Sequence, residues 1–181
     1  MSYIGHDAKS YGDALFMLAL ELGETEIVQT DLKIACSSVK SNPDIIKLFD
    51  TPSISREERV ELVEKVFGAL NRNLVNLIKI LTERRMAHLI EKVELAYTQA
   101  YDKHFGIERV EAISMIPLTS EQIKRLQSKL EQLTGKRIIV NNTIDASILG
   151  GMKLRYLGIQ IDGSIQTKLD GFEKSLKDLV I

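Results

Sequence analysis

The chain has 181 residues, enough for one large or two small domains. Hydrophobic residues make up 44% and charged residues 27%, and the net charge of −1 leaves no general basic surface for nucleic acid. Cys36 is the single cysteine, so no intrachain disulfide can form, and no stretch approaches the ~20 apolar residues of a membrane span.

The opening MSYIGHDAKS has no apolar run after a basic region and does not read as a secretory signal. Tyr11 to Leu22 then reads as a helix. Tyr11, Leu15, Leu18 and Leu22 form one stripe, while Phe16, Ala19 and Leu20 lie on another side. A helix apolar on more than one face needs cover from more than one side, and in a small domain a partner can supply part of it. Gly23 ends this helix. A second runs from about Glu24 to Lys40 and carries Cys36 among Ile34, Ala35 and Val39, the setting of a core thiol rather than a reactive one.

Asn42-Pro43-Asp44 predicts a helix start, with Asn42 as cap and Pro43 in the first turn, and Ile45–Phe49 as a short third helix. Ser55-x-x-Glu58 is a capping box for a fourth, with Val60, Val63, Val66, Phe67 and Leu70 along it. Leu74 to Thr82 holds one charge, Lys79, and is the second element apolar all round. Arg84-Arg85 leads into a long helix with Leu89, Val93, Ala96, Ala100 and Tyr101, ending near Gly106.

After Gly106 the period changes. Val110–Ile116 is β-rich and closed by Pro117. Thr119-Ser120-Glu121-Gln122 caps a helix with Ile123, Leu126, Leu130 and Leu133 on one face, stopped by Gly135. Arg137–Asn141 is a second strand. Gly150-Gly151 breaks the chain before Met152–Ile161, a hairpin turning at Leu157-Gly158 through a three-residue loop. Asp162 is the expected N-cap of a last helix, striped by Ile165, Leu169, Phe172, Leu176 and Leu179. The expected fold is α+β: a six-helix bundle over residues 1–105, followed by a small α/β domain over 106–181.

No catalytic constellation emerges. His6, His88 and His104 lack metal-ligand spacing, and there is no Walker-type phosphate loop. Asp162-Gly163-Ser164 has no histidine near it and reads as a cap. The expectation is therefore a binding protein with no catalytic residues, cofactor, metal or small-molecule substrate.

The closing stretch GGMKLRYLGIQIDGSIQTKLDGFEKSL resembles the C-terminal signature of the delta subunit of F-type ATP synthases, the oligomycin-sensitivity-conferring protein of mitochondria. Gly150-Gly151, Arg155 and Ile161-Asp162-Gly163-Ser164 stand in place, while Leu157-Gly158 replaces a Gly-Asp turn. Asn76–Glu83 followed by Arg84-Arg85 resembles loosely the family's Asn-Phe-Leu-x-Leu-Leu-x-Glu-x-x-Arg, and Tyr11-x-x-Ala14-Leu15-Phe16 its first helix.

The resemblance implies a non-catalytic connector in the peripheral stalk. The helical bundle would hold the N-terminal helix of an alpha subunit on the catalytic head. The C-terminal domain would hold the b-type stalk subunits, so that the stator resists rotational torque during proton-driven ATP synthesis. The protein would sit peripherally on the cytoplasmic face of a bacterial plasma membrane, or the matrix or stromal face of an organelle, touching the membrane only through the complex.

The surplus apolar faces nominate Tyr11, Ala14, Leu15, Leu18, Leu77, Ile80 and Leu81 for the head's helix, and Phe172, Leu176, Leu179 and Val180 for the stalk. The alternative is a helical-bundle RNA-binding transcription regulator. It needs a basic face, and the first 105 residues carry 13 Lys+Arg against 16 Asp+Glu, a net of −3.

Overall fold

The computed structural model describes residues 6–146, 151–156 and 159–163, the last five by backbone alone. The chain divides into two compact units, Ser2–Lys103 and His104–Ile181, and the division falls within the last turn of a helix.

The first unit holds six helices: α1 (His6–Glu21), α2 (Thr25–Ser41), α3 (Asp44–Asp50), α4 (Arg56–Phe67), α5 (Arg72–Glu83) and α6 (Ile90–Phe105). A 3-10 turn, Ala87–Leu89, precedes α6. The core takes one stripe from each long helix, including Phe16 and Ala19, Val28 and Leu32, Val63 and Phe67, Leu74 and Ile78, and Val93 and Ala96. Tyr97 sits fully buried among them. Its hydroxyl donates to the Thr25 carbonyl at 2.9 Å, and the Phe16 ring meets it edge-on at 5.6 Å. Burying the ring uses its apolar area while the one polar atom stays satisfied. Burial pushes its phenol pKa up.

Gly12 marks a close crossing. A Cβ built there would lie 2.4 Å from the Ala96 Cβ and 2.8 Å from the Val93 carbonyl oxygen, so α1 meets α6 with no side chain larger than the Ala96 methyl between the backbones. Cys36 is buried, its thiol facing the Ile90 carbonyl at 3.8 Å. Desolvation pushes its pKa from 9.0 up to about 12, with Glu94 and Glu91 adding to the rise, so the inert reading of this thiol is the one its setting supports.

Several boundaries depart from expectation. α1 is already helical at His6, the first described residue, and buries Ala8, whose polar neighbours hide the period. Asn42 does not cap α3. Pro43 takes the N-cap position, and the side chain of Asp44 is engaged by Lys47 at 2.8 Å. Arg84-Arg85 leads into the long helix only after a break. Arg85 turns left-handed, and the Asp50 carboxylate then accepts from the amides of Ala87 at 3.1 Å and His88 at 3.4 Å, starting a new element.

The second unit contains β1 (Ile107–Ser114), α7 (Ser120–Thr134), β2 (Arg137–Ile144), β3 (Met152–Tyr156) and β4 (Ile159–Gly163). The sheet order is β2-β1-β3-β4. β1 and β2 are parallel from Ile107↔Arg137 to Ser114↔Ile144, with α7 as the crossover that a parallel pair needs. The β1–β3 and β3–β4 pairs are antiparallel.

Alternation along the strands puts Val110, Ala112, Ile138, Val140, Leu154 and Tyr156 in one core with Leu130 of α7, flanked by Ile123, Leu126 and Leu133. The Thr119–Gln122 capping box forms in both directions, and Gly135 ends the helix at φ 67°. Asn142 fixes the turn into α7. Its side chain accepts from the Leu118 amide at 2.9 Å and donates to the Ala112 carbonyl and Ser114 Oγ, each at 2.8 Å.

Two sequence expectations fail at the hairpin. Tyr156 pairs with Ile159, which leaves two residues between the strands rather than three. Asp162 is not a helix cap. It lies inside β4, paired with Lys153, and the strand runs on to Gly163 opposite Met152. The helix expected beyond it lies outside the described residues.

Candidate functional site

α1 and α5 are neighbours in the helical unit, and their surface is where the first group of nominated residues falls. One stripe of α1 carries Tyr11 and Leu18, seven residues apart; one flank of α5 carries Leu77 and is continued, seven residues on, by its C-cap Arg84. The Arg84 guanidinium donates to the Tyr11 hydroxyl at 3.0 Å and ties the two flanks together.

The structure sorts the nominated residues. Leu18 and Ile80 are 40% and 43% exposed, large apolar side chains left facing outward. Ala14 is exposed, and Tyr11 and Leu77 are half-buried. Leu15 and Leu81 are only 4% and 1% exposed, so they belong to the core and support the surface from beneath. A small cluster of Ala8, Leu81 and Val93, edged by Tyr11, Leu77, Met86 and Leu89, forms that support. The other group, Phe172, Leu176, Leu179 and Val180, lies outside the described residues.

Ion pairs on another side of α5 hold α4 to it. Arg56 meets Glu83 at 2.8 Å, while Glu64 takes Arg72 at 2.8 Å and also Lys79. Lys79 and then Arg72 hold the Glu64 carboxyl below the ordinary carboxylate range. Such exposed pairs orient more than they stabilise. The N-terminus of α5 is built from α2. The Asn71 side chain accepts from the Asn73 and Leu74 amides, its own amide reaches Asp31, and its Nδ2 donates to Glu24 at 2.9 Å.

The periodicity of α5 did not single out the Arg84–Tyr11 link or the backbone of Arg85. The signal available was the doublet itself, two cations closing an otherwise apolar helix. Among the described residues no group of histidine, cysteine and acidic side chains could hold a metal ion, and no helix is long and apolar enough to cross a membrane.

A helical bundle with an uncovered apolar surface, followed by a small α/β unit, defines a two-part binding protein. The family model described as the ATP synthase delta (OSCP) subunit matches residues 8–176. The ATP synthase subunit delta of Clostridioides difficile (strain 630) is 32% identical over 175 residues, 96% of this chain and 97% of that one. That of Anaeromyxobacter dehalogenans (strain 2CP-1) is 31% identical over 177 residues, 96% of this chain and 98% of its own. A chain in a cryo-EM structure of the Toxoplasma gondii mitochondrial ATP synthase hexamer has the same fold, with a TM-score of 0.65 at 21% identity, covering 94% of this chain and 97% of that chain.

The chain therefore belongs to the ATP synthase delta (OSCP) subunit family, the non-catalytic peripheral-stalk subunits of the F-type enzyme. The RNA-binding alternative finds no support in these likenesses.

Proposed function

We propose that the helical unit holds the amphipathic N-terminal helix of an alpha subunit on the catalytic head, and that the α/β unit holds the b-type stalk subunits. The complex would then lie on the cytoplasmic face of a bacterial plasma membrane, or the matrix or stromal face of an organelle, with this chain reaching the membrane only through its partners. The observation that carries the head-binding half is the outward apolar pair Leu18 and Ile80, beside half-buried Tyr11 and Leu77. An amphipathic helix laid along α1 and α5 would cover them, the helix-in-groove mode of recognition.

The test is titration of the purified head with Leu18→Asp and Ile80→Asp. Each should weaken binding by about 2–4 kcal/mol, the range of an interface hot spot. Both side chains face outward, so circular dichroism should show the helix content kept. Full affinity in both variants would refute the assignment. For the other half, deletion of Leu179–Ile181 should weaken binding of a soluble stalk fragment and leave head binding intact; the reverse pattern would exchange the roles of the two units.

A further inference from the structure

We infer that Arg84 and Arg85 form a cationic end to the α1/α5 surface, fitted to a carboxylate near one end of the helix that docks there. The inference rests on the head-binding reading above. It starts from the backbone. α5 ends with the Arg85 amide bonded to the Thr82 carbonyl at 3.1 Å and the Met86 amide to the Leu81 carbonyl at 2.7 Å. This is the paired bonding of a Schellman ending, which places one residue in the left-handed region.

α1 ends in the same way. There the Gly23 amide bonds to Leu20 at 3.2 Å and the Glu24 amide to Ala19 at 2.8 Å, and Gly23 takes the left-handed position at φ 71°. At the end of α5 the same position is held by Arg85 at φ 57°, the one non-glycine residue with positive φ among the described residues. A long side chain at a position suited to glycine is strained, and strain of this kind is kept where the side chain serves a purpose.

Arg85 is exposed, and no carboxylate pairs with it among the described residues. Arg84 is exposed too, held against Tyr11 at the edge of the apolar surface. Two acids close to the doublet are engaged elsewhere, Glu83 with Arg56 at 2.8 Å and Asp50 with His88 at 2.9 Å. Two adjacent positive charges thus stand at one end of a surface that carries Leu18 and Ile80 facing outward. A docked helix with acidic residues at one end gains attraction in one direction along α1 and α5 and repulsion in the other, so the pair sets the direction of docking.

Arg85→Gly separates the charge from the fold, because glycine relieves the strained backbone. Head binding is measured at low and high salt for the parent, Arg85→Gly, Arg85→Glu and Leu18→Asp. Arg85→Gly should melt a few degrees higher, about the shift expected for a small stabilisation. It should bind the head about three- to tenfold more weakly at low salt, the gap closing as screening rises, and Arg85→Glu should lose more. Parent-like affinity of both arginine variants at low salt, with Leu18→Asp impaired, overturns the cationic end alone. Parent-like affinity of Leu18→Asp as well overturns the head-binding reading itself.

Discussion

The backbone amide of Asn71 donates to the Asp31 carboxylate at 2.6 Å, across 40 positions of sequence. The first turn of α5 thus depends on an acid carried by α2. A carboxylate at a helix N-terminus satisfies an amide that the helix cannot and faces the positive end of its dipole. Asp31→Ala should destabilise the helical unit by about 1–2 kcal/mol, the range for a charged acceptor lost from a half-buried donor. Asn71→Ala should cost about the same through loss of the cap. Because the two share one network, the double variant should lose less than the sum, and a double-mutant cycle in urea is the measurement. Strict additivity would show that the two contacts act independently.

Gly12→Ala tests the crossing of α1 and α6. On helix propensity alone alanine would stabilise by about 1 kcal/mol. The added methyl would instead fall 2.4 Å from the Ala96 Cβ and 2.9 Å from the Tyr97 amide nitrogen, both fixed to backbone. The steric effect wins, and a net loss of about 1–3 kcal/mol is expected from overpacking. Thermal melting of the variant checks it; a rise in midpoint would mean that the helices separate at little cost.

Cys36 should be unreactive to thiol reagents at about pH 8 while the chain is folded, and react once urea unfolds it. The pH dependence has a definite sign. Burial pushes its folded pKa up to about 12, above the 9.0 of an ordinary thiol. Below the lower value both states keep the proton and the thiol has no effect on the balance. As pH rises between the two, the unfolded chain ionises first and stability falls. Cys36→Ala should flatten that part of the stability profile. An equal slope in the variant would assign the loss to other groups.

Residues 1–105 expressed alone should melt cooperatively and keep head affinity, because the core around Tyr97 is made from α1 to α6. A broad transition with weak near-ultraviolet dichroism would count against an independent unit.

Much of this fold is written in local chemistry. Ser55 and Thr119, each followed three residues later by Glu or Gln, form full capping boxes, and Gly23 and Gly135 stop their helices left-handed. Those signals act within one turn of chain. What escapes them depends on distant neighbours. Leu15 and Leu18 share a stripe of α1, yet one is core and the other outward, since their positions relative to α5 and α6 decide which is covered. Ile107 begins β1 because β2 offers Arg137 as a partner, a pairing that the polar Glu108-Arg109 conceals. Arg85 gives no local sign of its left-handed backbone because arginine has no preference for it.

The crossing at Gly12 bears on stiffness. Contacts between long side chains yield under a sideways load, because rotamers can shift before the backbone moves. Where α1 meets α6 the first atoms to touch are the Ala96 Cβ, the Val93 carbonyl oxygen and the Tyr97 amide nitrogen. None has a rotamer to give. A joint of backbone and one methyl group has little room to give, because close-packed interiors have low compressibility. A connector built around such a joint would add little elastic compliance of its own, leaving the give in a stator to its longer members.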